Sequence, residues 1–286
     1  MQNLGSTIKK IRQNKGYTQK DVIGGLFSQS TYSNFESEKS DIHLTSFVHL
    51  LSQFQLTMEE LRYIHNGNQY DTATDIIRSF FRLPYNSKKD IMKVISSIDN
   101  YFSKGNENIF LKELRCICEA LLIVEISGDL EKAREKVNIV WQRISRFDQW
   151  YLMDIKFVNV ILYFFEYEVA INITDKLLER LKTYKNFEES IKLTFSLTLN
   201  LSLILIKNGS YIEALDRLEK LLEDYLQEIP YRSLAVCYNR MAICYSFISK
   251  ENEMTYVRKI DTLLEIYEDS TFKQIVKLEF NKYCQG

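Results

Sequence analysis

Beyond residue 70, apolar residues recur at helical spacing almost to the C-terminus, and in 286 residues only Pro84 and Pro230 stand against a helix. That pattern leaves room for little but stacked helices. Nine glycines and two prolines are too few for the many tight turns of a β protein, and 45% hydrophobic residues are enough for a sizeable core. The periodicity breaks near Pro84, Gly105, Gly128, Phe147, Asn186, Gly209, Pro230 and Lys250. These breaks predict roughly ten or eleven helices of about 14 to 22 residues.

The helices carry a weak repeat. Gly128-Asp129-Leu130-Glu131-Lys132-Ala133 matches Gly209-Ser210-Tyr211-Ile212-Glu213-Ala214 in residue character, 81 positions on. Asn159, Asn200 and Asn239 follow one another at intervals of 41 and 39, each inside an apolar helical stretch. A unit of about 40 residues, one helix pair, explains both spacings and predicts an α-solenoid.

The first 66 residues read differently, as short helices closely joined. Leu4, Ile8 and Ile11 define the first, with Gly16 as its stop. Thr18 and Asp21 make an acidic capping box for a second, whose apolar face is Val22 and Leu26 and whose end is loosened by Gly24 and Gly25. Ser28 caps a third, which turns Tyr32, Phe35 and Glu36 one way and Gln29, Ser30, Ser33, Asn34 and Ser37 the other. Ser40 and Asp41 are expected to open a fourth, with Phe47, Leu50 and Leu51 inward. Thr57 and Glu60 should box the start of a fifth, with Leu61 and Ile64. The polar stretch from His65 to Thr74 then marks a boundary, giving domains 1–66 and 67–286 in an all-α chain.

Charge is distributed unevenly. Lys9, Lys10, Arg12, Lys15 and Lys20 occur in the first twenty residues with no acid, whereas residues 67–286 balance 30 basic against 32 acidic residues. A helix-turn-helix needs cations for phosphates and a polar, uncharged helix face for base edges in the major groove. The third helix offers that face in Gln29, Ser30, Thr31, Ser33 and Asn34. Gln and Asn match adenine bidentately, while Ser and Thr read less strictly. Thr18 and Gln19 at the start of the second helix, with Lys15 and Lys39, are the expected phosphate partners.

Thr18-Gln19-Lys20-Asp21-Val22 followed by Ser28-Gln29-Ser30-Thr31-Tyr32-Ser33-Asn34-Phe35-Glu36 resembles the phage-repressor-like helix-turn-helix. With Lys15-Gly16-Tyr17 before it, Glu38-Lys39-Ser40-Asp41-Ile42 after it and Glu59-Glu60-Leu61-Arg62-Tyr63-Ile64 closing the domain, the stretch is similar to the Rgg/GadR/MutR regulators of low-GC Gram-positive bacteria, of the RRNPP quorum-sensing type. The resemblance implies that Arg12 pairs with Glu36 across the domain as a positioning residue and that Gln19 holds a phosphate. It places Gln29, Ser30, Thr31 and Asn34 at the bases. It also implies a tetratricopeptide-like C-terminal domain that dimerises and binds a short secreted peptide re-imported into the cell. The expected partners are therefore promoter DNA, a signalling peptide and a second copy of the chain.

On a concave solenoid face, asparagine amides suit an extended peptide because each both donates and accepts. Asn159, Asn200 and Asn239 are the candidates, with Arg146, Trp150, Tyr163, Tyr238 and Arg240 as neighbours for a peptide carboxylate or apolar side chains. Inter-helix hydrogen bonding within the core is the competing role for the asparagines.

Catalysis has little support. His43, His49 and His65 all lie in the first domain, and there is no phosphate loop, dinucleotide turn, nucleophile elbow or zinc-helix motif. Cys116 and Cys118 are too close for a standard zinc pair, Cys237 and Cys244 share a helix face, and with Cys284 the thiols read as reduced; no metal or cofactor is expected. No signal peptide and no run of about 18 apolar residues is evident, which predicts a cytoplasmic protein without a membrane partner. Two other functions fit the same residues: a helical-repeat scaffold whose N-terminal module docks protein, and a phage-type repressor that needs no ligand.

Overall fold

A computed structural model describes residues 4–25, 27–83, 87–185 and 187–284. Leu26, Pro84 and Asn186, assigned above to helix faces and helix ends, lie outside the described residues. The chain is all-α, with sixteen α-helices, one 3-10 turn and no strand among the described residues. It divides into two compact units, Met1–Tyr85 with Ser96–Asn108 and Asn86–Ile95 with Ile109–Gly286.

The first unit opens with five short helices: α1 (Gly5–Asn14), α2 (Gln19–Ile23), α3 (Gln29–Glu36), α4 (Leu44–Phe54) and α5 (Met58–His65). Their starts are set by side chains. Thr18 and Asp21 form the reciprocal capping box, Ser28 Oγ accepts from Thr31 N–H, and Thr57 Oγ1 accepts from Glu60 N–H at 3.0 Å. α2 stops at Gly24, whose positive φ of 58° is left-handed backbone and whose missing Cβ leaves space for the His49 ring. Ile8, Ile11, Val22, Tyr32, Phe35, Phe47, Leu50, Phe54 and Leu61 close over one apolar core.

α4 departs from the expected start. Ser40 and Asp41 remain outside the helix, which begins at Leu44 after His43. Ile42 and Phe47 occupy the two positions of a hydrophobic staple and both pack on the core, so apolar burial sets this helix entry where no side-chain cap exists.

α6 (Thr72–Phe81) groups with the first unit. Arg62 pairs with Asp71 at 2.8 Å, Arg78 with Glu59 at 2.6 Å, and Tyr63 meets Tyr70 at 5.0 Å between ring centroids. α7 (Lys88–Ser103) contributes to both units.

The second unit continues with α8 (Ile109–Ser127), α9 (Leu130–Ile144), α10 (Leu152–Ile161), α11 (Tyr167–Lys182), α12 (Glu188–Lys207), α13 (Tyr211–Tyr225), α14 (Tyr231–Ser246), α15 (Lys250–Ile266) and α16 (Ser270–Cys284). α10, α12, α14 and α16 pack in succession as one layer, while α11, α13 and α15 each pair with a member of it. The repeat read from the sequence has a structural cause. Gly128 and Gly209, both left-handed at helix ends, turn the chain into α9 and α13, where Ala133 and Ala214 are fully buried at the close helix contact. α6 and α10 have ten residues each, below the expected length, and α10 ends in a 3-10 turn at Leu162–Phe164.

α12 is long and apolar enough to cross a membrane by length and composition, with a mean hydropathy of 1.4 over its best window. Here it is the central helix of the solenoid: Leu197, Leu201 and Leu205 are fully buried against neighbours on both sides. All five cysteines are thiols, and Cys118, Cys237 and Cys244 are buried.

Candidate DNA-reading face and polar ladder

Arg12 of α1 and Glu36 of α3 meet inside the first unit. Arg12 Nε donates to Glu36 Oε1 at 2.6 Å and Nη2 to Oε2 at 2.9 Å, while Nη1 donates to the Tyr17 carbonyl at 2.7 Å. Gln19 Nε2 adds a bond to Glu36 Oε2 at 2.9 Å. One carboxylate therefore gathers α1, α2 and α3, and it is almost wholly buried: the side chains of Arg12 and Glu36 are 11% and 2% exposed. Burial by itself raises the Glu36 carboxyl, yet the bonds from Arg12 and Gln19 outweigh it and hold the group below the usual carboxylate range. The bond to Glu36 in turn raises the Arg12 guanidinium.

A pH dependence follows. Because Glu36 is the stronger acid in the folded unit, its stabilisation is present above the ordinary carboxylate range and is lost as pH falls through the depressed folded value. Amide exchange of α3, followed on acidification, should show protection falling there, and Glu36→Gln should remove that pH-dependent component. Parallel pH profiles for wild type and variant would contradict this assignment.

With the inner side of α3 fixed, its outer side is free. Gln29, Ser30, Thr31, Ser33 and Asn34 are all exposed. Among the described residues the side chains of Gln29, Ser33 and Asn34 make no hydrogen bond, so their donors and acceptors are open to a ligand. Ser30 and Thr31 turn their hydroxyls to Ser28, at 2.7 and 2.9 Å, and Ser28 also accepts from Thr31 N–H. Thr18 is engaged too, its N–H and hydroxyl both donating to Asp21. Gln19, expected at a phosphate, spends one amide proton on Glu36 and keeps the rest of its amide half-exposed.

Lys15 and Lys39 are exposed, and so are Lys9, Lys10 and Lys20, which the charge distribution singled out without a site role. None of the five forms an ion pair among the described residues. The neighbouring acids are occupied: Asp21 in the α2 cap, Glu36 with Arg12, and Glu38 accepting from Ser6 N–H. The five ammonium groups are therefore free of a carboxylate partner among the described residues and open to an external anion, in the unit that carries the uncharged polar side of α3.

In the second unit, Asn159 on α10 and Asn200 on α12 join in a polar ladder. Tyr163 OH donates to Asn200 Oδ1 at 2.9 Å, Asn200 Nδ2 donates to Asn159 Oδ1 at 2.9 Å, and Asn159 Nδ2 donates to Ser196 Oγ at 2.7 Å. Asn200 Nδ2 also donates to the Asn159 main-chain carbonyl at 3.4 Å, so each amide oxygen retains a lone pair and Asn159 alone of the two keeps an unused amide proton among the described residues. Asn239 occupies the corresponding place on α14; it is buried and its amide makes no hydrogen bond among the described residues. Beside it, Arg240 donates to the Leu199 carbonyl and, through Nε, to Glu279 Oε1 at 3.0 Å. These contacts join residues 37 to 41 positions apart.

Three expected neighbours stand elsewhere. Tyr238 turns to α15, with its ring 5.7 Å from that of Tyr256, because adjacent residues of a helix point in different directions. Trp150 packs near Trp141, donates to the Ile144 carbonyl at 2.8 Å and accepts, through its own carbonyl, from Arg180. Arg146 is exposed in the turn after α9. Ser196, a member of the ladder, was missed in the sequence, although it sits one helical turn before Asn200. Among the described residues no three His, Cys, Asp or Glu side chains gather as metal ligands.

No family model matches the chain. Solved structures match it over nearly its whole length. A Listeria monocytogenes EGD-e protein, described provisionally as a transcriptional regulator, superposes with a TM-score of 0.75 at 20% identity, covering 98% of this chain and 97% of the other. The SHP pheromone receptor Rgg2 of Streptococcus dysgalactiae gives 0.73 at 17% identity, over 98% and 99%. PlcR of Bacillus thuringiensis, solved in complex with the peptide PapR7 and DNA, gives 0.68 at 17% identity, over 96% and 99%. The fold is thus the one these proteins share, a helix-turn-helix module followed by tetratricopeptide-like helix pairs.

Proposed function

We propose that this chain is a cytoplasmic, sequence-specific DNA-binding transcriptional regulator whose activity is set by a short signalling peptide held on the inner layer of its helix pairs. In this reading residues 1–66 read promoter DNA, residues 67–286 sense the peptide and dimerise, and there is no catalytic step. The observation that carries it is the state of α3. Its inner side is locked by Arg12 and Glu36, its outer amides on Gln29 and Asn34 are unengaged among the described residues, and the same unit holds the exposed, unpaired Lys9, Lys10, Lys15, Lys20 and Lys39. Such a surface suits phosphates at its margin and base edges at its centre. The PlcR structure, which holds a peptide and DNA together, supports the two-ligand reading. A homodimer follows from the small surface that one such module covers on DNA.

The test is a titration of the full chain onto duplex DNA from upstream of its own gene and onto scrambled duplex of the same length, at several salt concentrations. Binding should prefer the upstream duplex, and log K should fall linearly with log salt at a slope of about −0.9 for each phosphate neutralised. Equal, weak binding to both duplexes at low salt would remove the reading.

A further inference from the structure

At the end of the polar ladder lies a group of charges that the proposed function has not used. Lys207 closes α12, Arg240 lies on α14 and Lys282 on α16, helices of the same layer. Lys207 Nζ stands 5.3 Å from the centroid of the Tyr163 ring, whose hydroxyl holds Asn200. Glu279 is the acid of the group, and Arg240 holds it at 3.0 Å. Neither Lys207 nor Lys282 pairs with a carboxylate among the described residues. Three cations therefore share one carboxylate.

Their mutual field is visible in Lys207, whose ammonium is pushed down first by burial and then by Lys282 and Arg240, with only Glu279 opposing. Tyr163 cannot supply the missing negative charge, since burial raises its phenol to about 12. Lys207 and Lys282 are both exposed, so an anion that enters from outside can reach them beside the neutral hydrogen-bonding ladder and relieve their repulsion.

We propose that Lys207 and Lys282, backed by Arg240, form a carboxylate-binding subsite that takes the α-carboxylate, or an Asp or Glu side chain, of a peptide lying along Asn159 and Asn200. The inference rests on the peptide reading above and adds the chemistry and register of the ligand. Lys207 follows Asn200 by two helical turns, about 10 Å along α12. An extended peptide covers that distance in about three residues. The recognised carboxylate therefore lies about three residues from the backbone group held at Asn200.

The test uses the full chain and three pooled octapeptide libraries: free C-terminal acids lacking Asp and Glu, C-terminal amides containing Asp or Glu, and C-terminal amides lacking both. Peptides retained by the protein on gel filtration are counted by mass spectrometry. Wild type should retain one carboxylate-bearing library about tenfold over the neutral one, and which library is enriched identifies the source of the carboxylate. Lys207→Met/Lys282→Met should retain all three about equally, and Lys207→Arg should restore the preference. Equal retention by wild type, or a preference unchanged in the double variant, overturns the subsite and leaves peptide binding intact. No retention from any library overturns the peptide reading and the subsite with it.

Discussion

Changing Gln29, Ser33 and Asn34 together to alanine is expected to abolish sequence preference while leaving non-specific DNA binding and the fold in place. The three side chains are exposed and bond to nothing among the described residues, so their removal strands no buried partner. A bidentate Gln or Asn bond to adenine contributes about 1–3 kcal/mol of discrimination. Deleting two such amides and a serine removes about 2–6 kcal/mol, a factor of roughly thirty to more than ten thousand. The salt slope should stay near that of wild type, because no phosphate partner is touched. Lys15→Ala/Lys39→Ala should do the reverse, weakening binding to every duplex and flattening the slope by about 0.9 for each phosphate no longer neutralised. Gel-shift titrations at several salt concentrations separate the two effects. A triple variant that keeps its preference would remove α3 from the bases.

The contrast between these residues explains what could be read from the chain. α3 was legible because local rules fix it: Ser28 caps it, its apolar residues fall on one side, and its polar residues cannot be buried without partners. The core of the first unit was legible for the same reason, with Ile8, Ile11, Val22, Tyr32, Phe35 and Leu61 buried where the spacing placed them. The start of α4 was not, because Ser40 and Asp41 carry the composition of a cap while burial of Ile42 and Phe47 decides the entry, and burial is a tertiary fact. The use of hydroxyls also escaped. Nothing in the order of residues tells that Ser30 and Thr31 turn to Ser28 while Ser33 does not.

In the second unit the interval of about 40 residues was legible, and it placed Asn159, Asn200 and Asn239 on successive helices of one layer. The same interval relates Arg240 to Glu279, a pair that the spacing could have suggested. Direction around each helix was the harder part. Tyr238 and Arg240 are two apart in sequence, yet one faces Tyr256 on α15 and the other Leu199 on α12. Proximity in sequence to a candidate residue is therefore weak support for sharing its site, whereas a separation of seven, as between Asn200 and Lys207, keeps two residues on one face.

Arg12→Ala should be the most destabilising single change in the first unit. It deletes three hydrogen bonds and leaves the Glu36 carboxylate buried without its cation, held by the Gln19 amide. Removing one partner of a buried pair costs about 3–5 kcal/mol, against a total stability of about 5–15 kcal/mol for a domain. Native-state hydrogen exchange of the α1 and α3 amides should therefore lose most of its protection, and DNA binding should be lost with it. That loss alone would not separate a residue that positions α3 from one that touches DNA. The discriminating variant is Arg12→Met/Glu36→Leu, which removes both charges and fills their space with apolar atoms. Replacements of this kind are often neutral or stabilising, and Gln19, half-exposed, can return its amide to water. If Arg12 only positions α3, the double variant regains both exchange protection and preference for the upstream duplex. If protection returns without DNA binding, Arg12 or Glu36 bonds directly to the DNA, and the ion pair is part of the reading surface as well as its support.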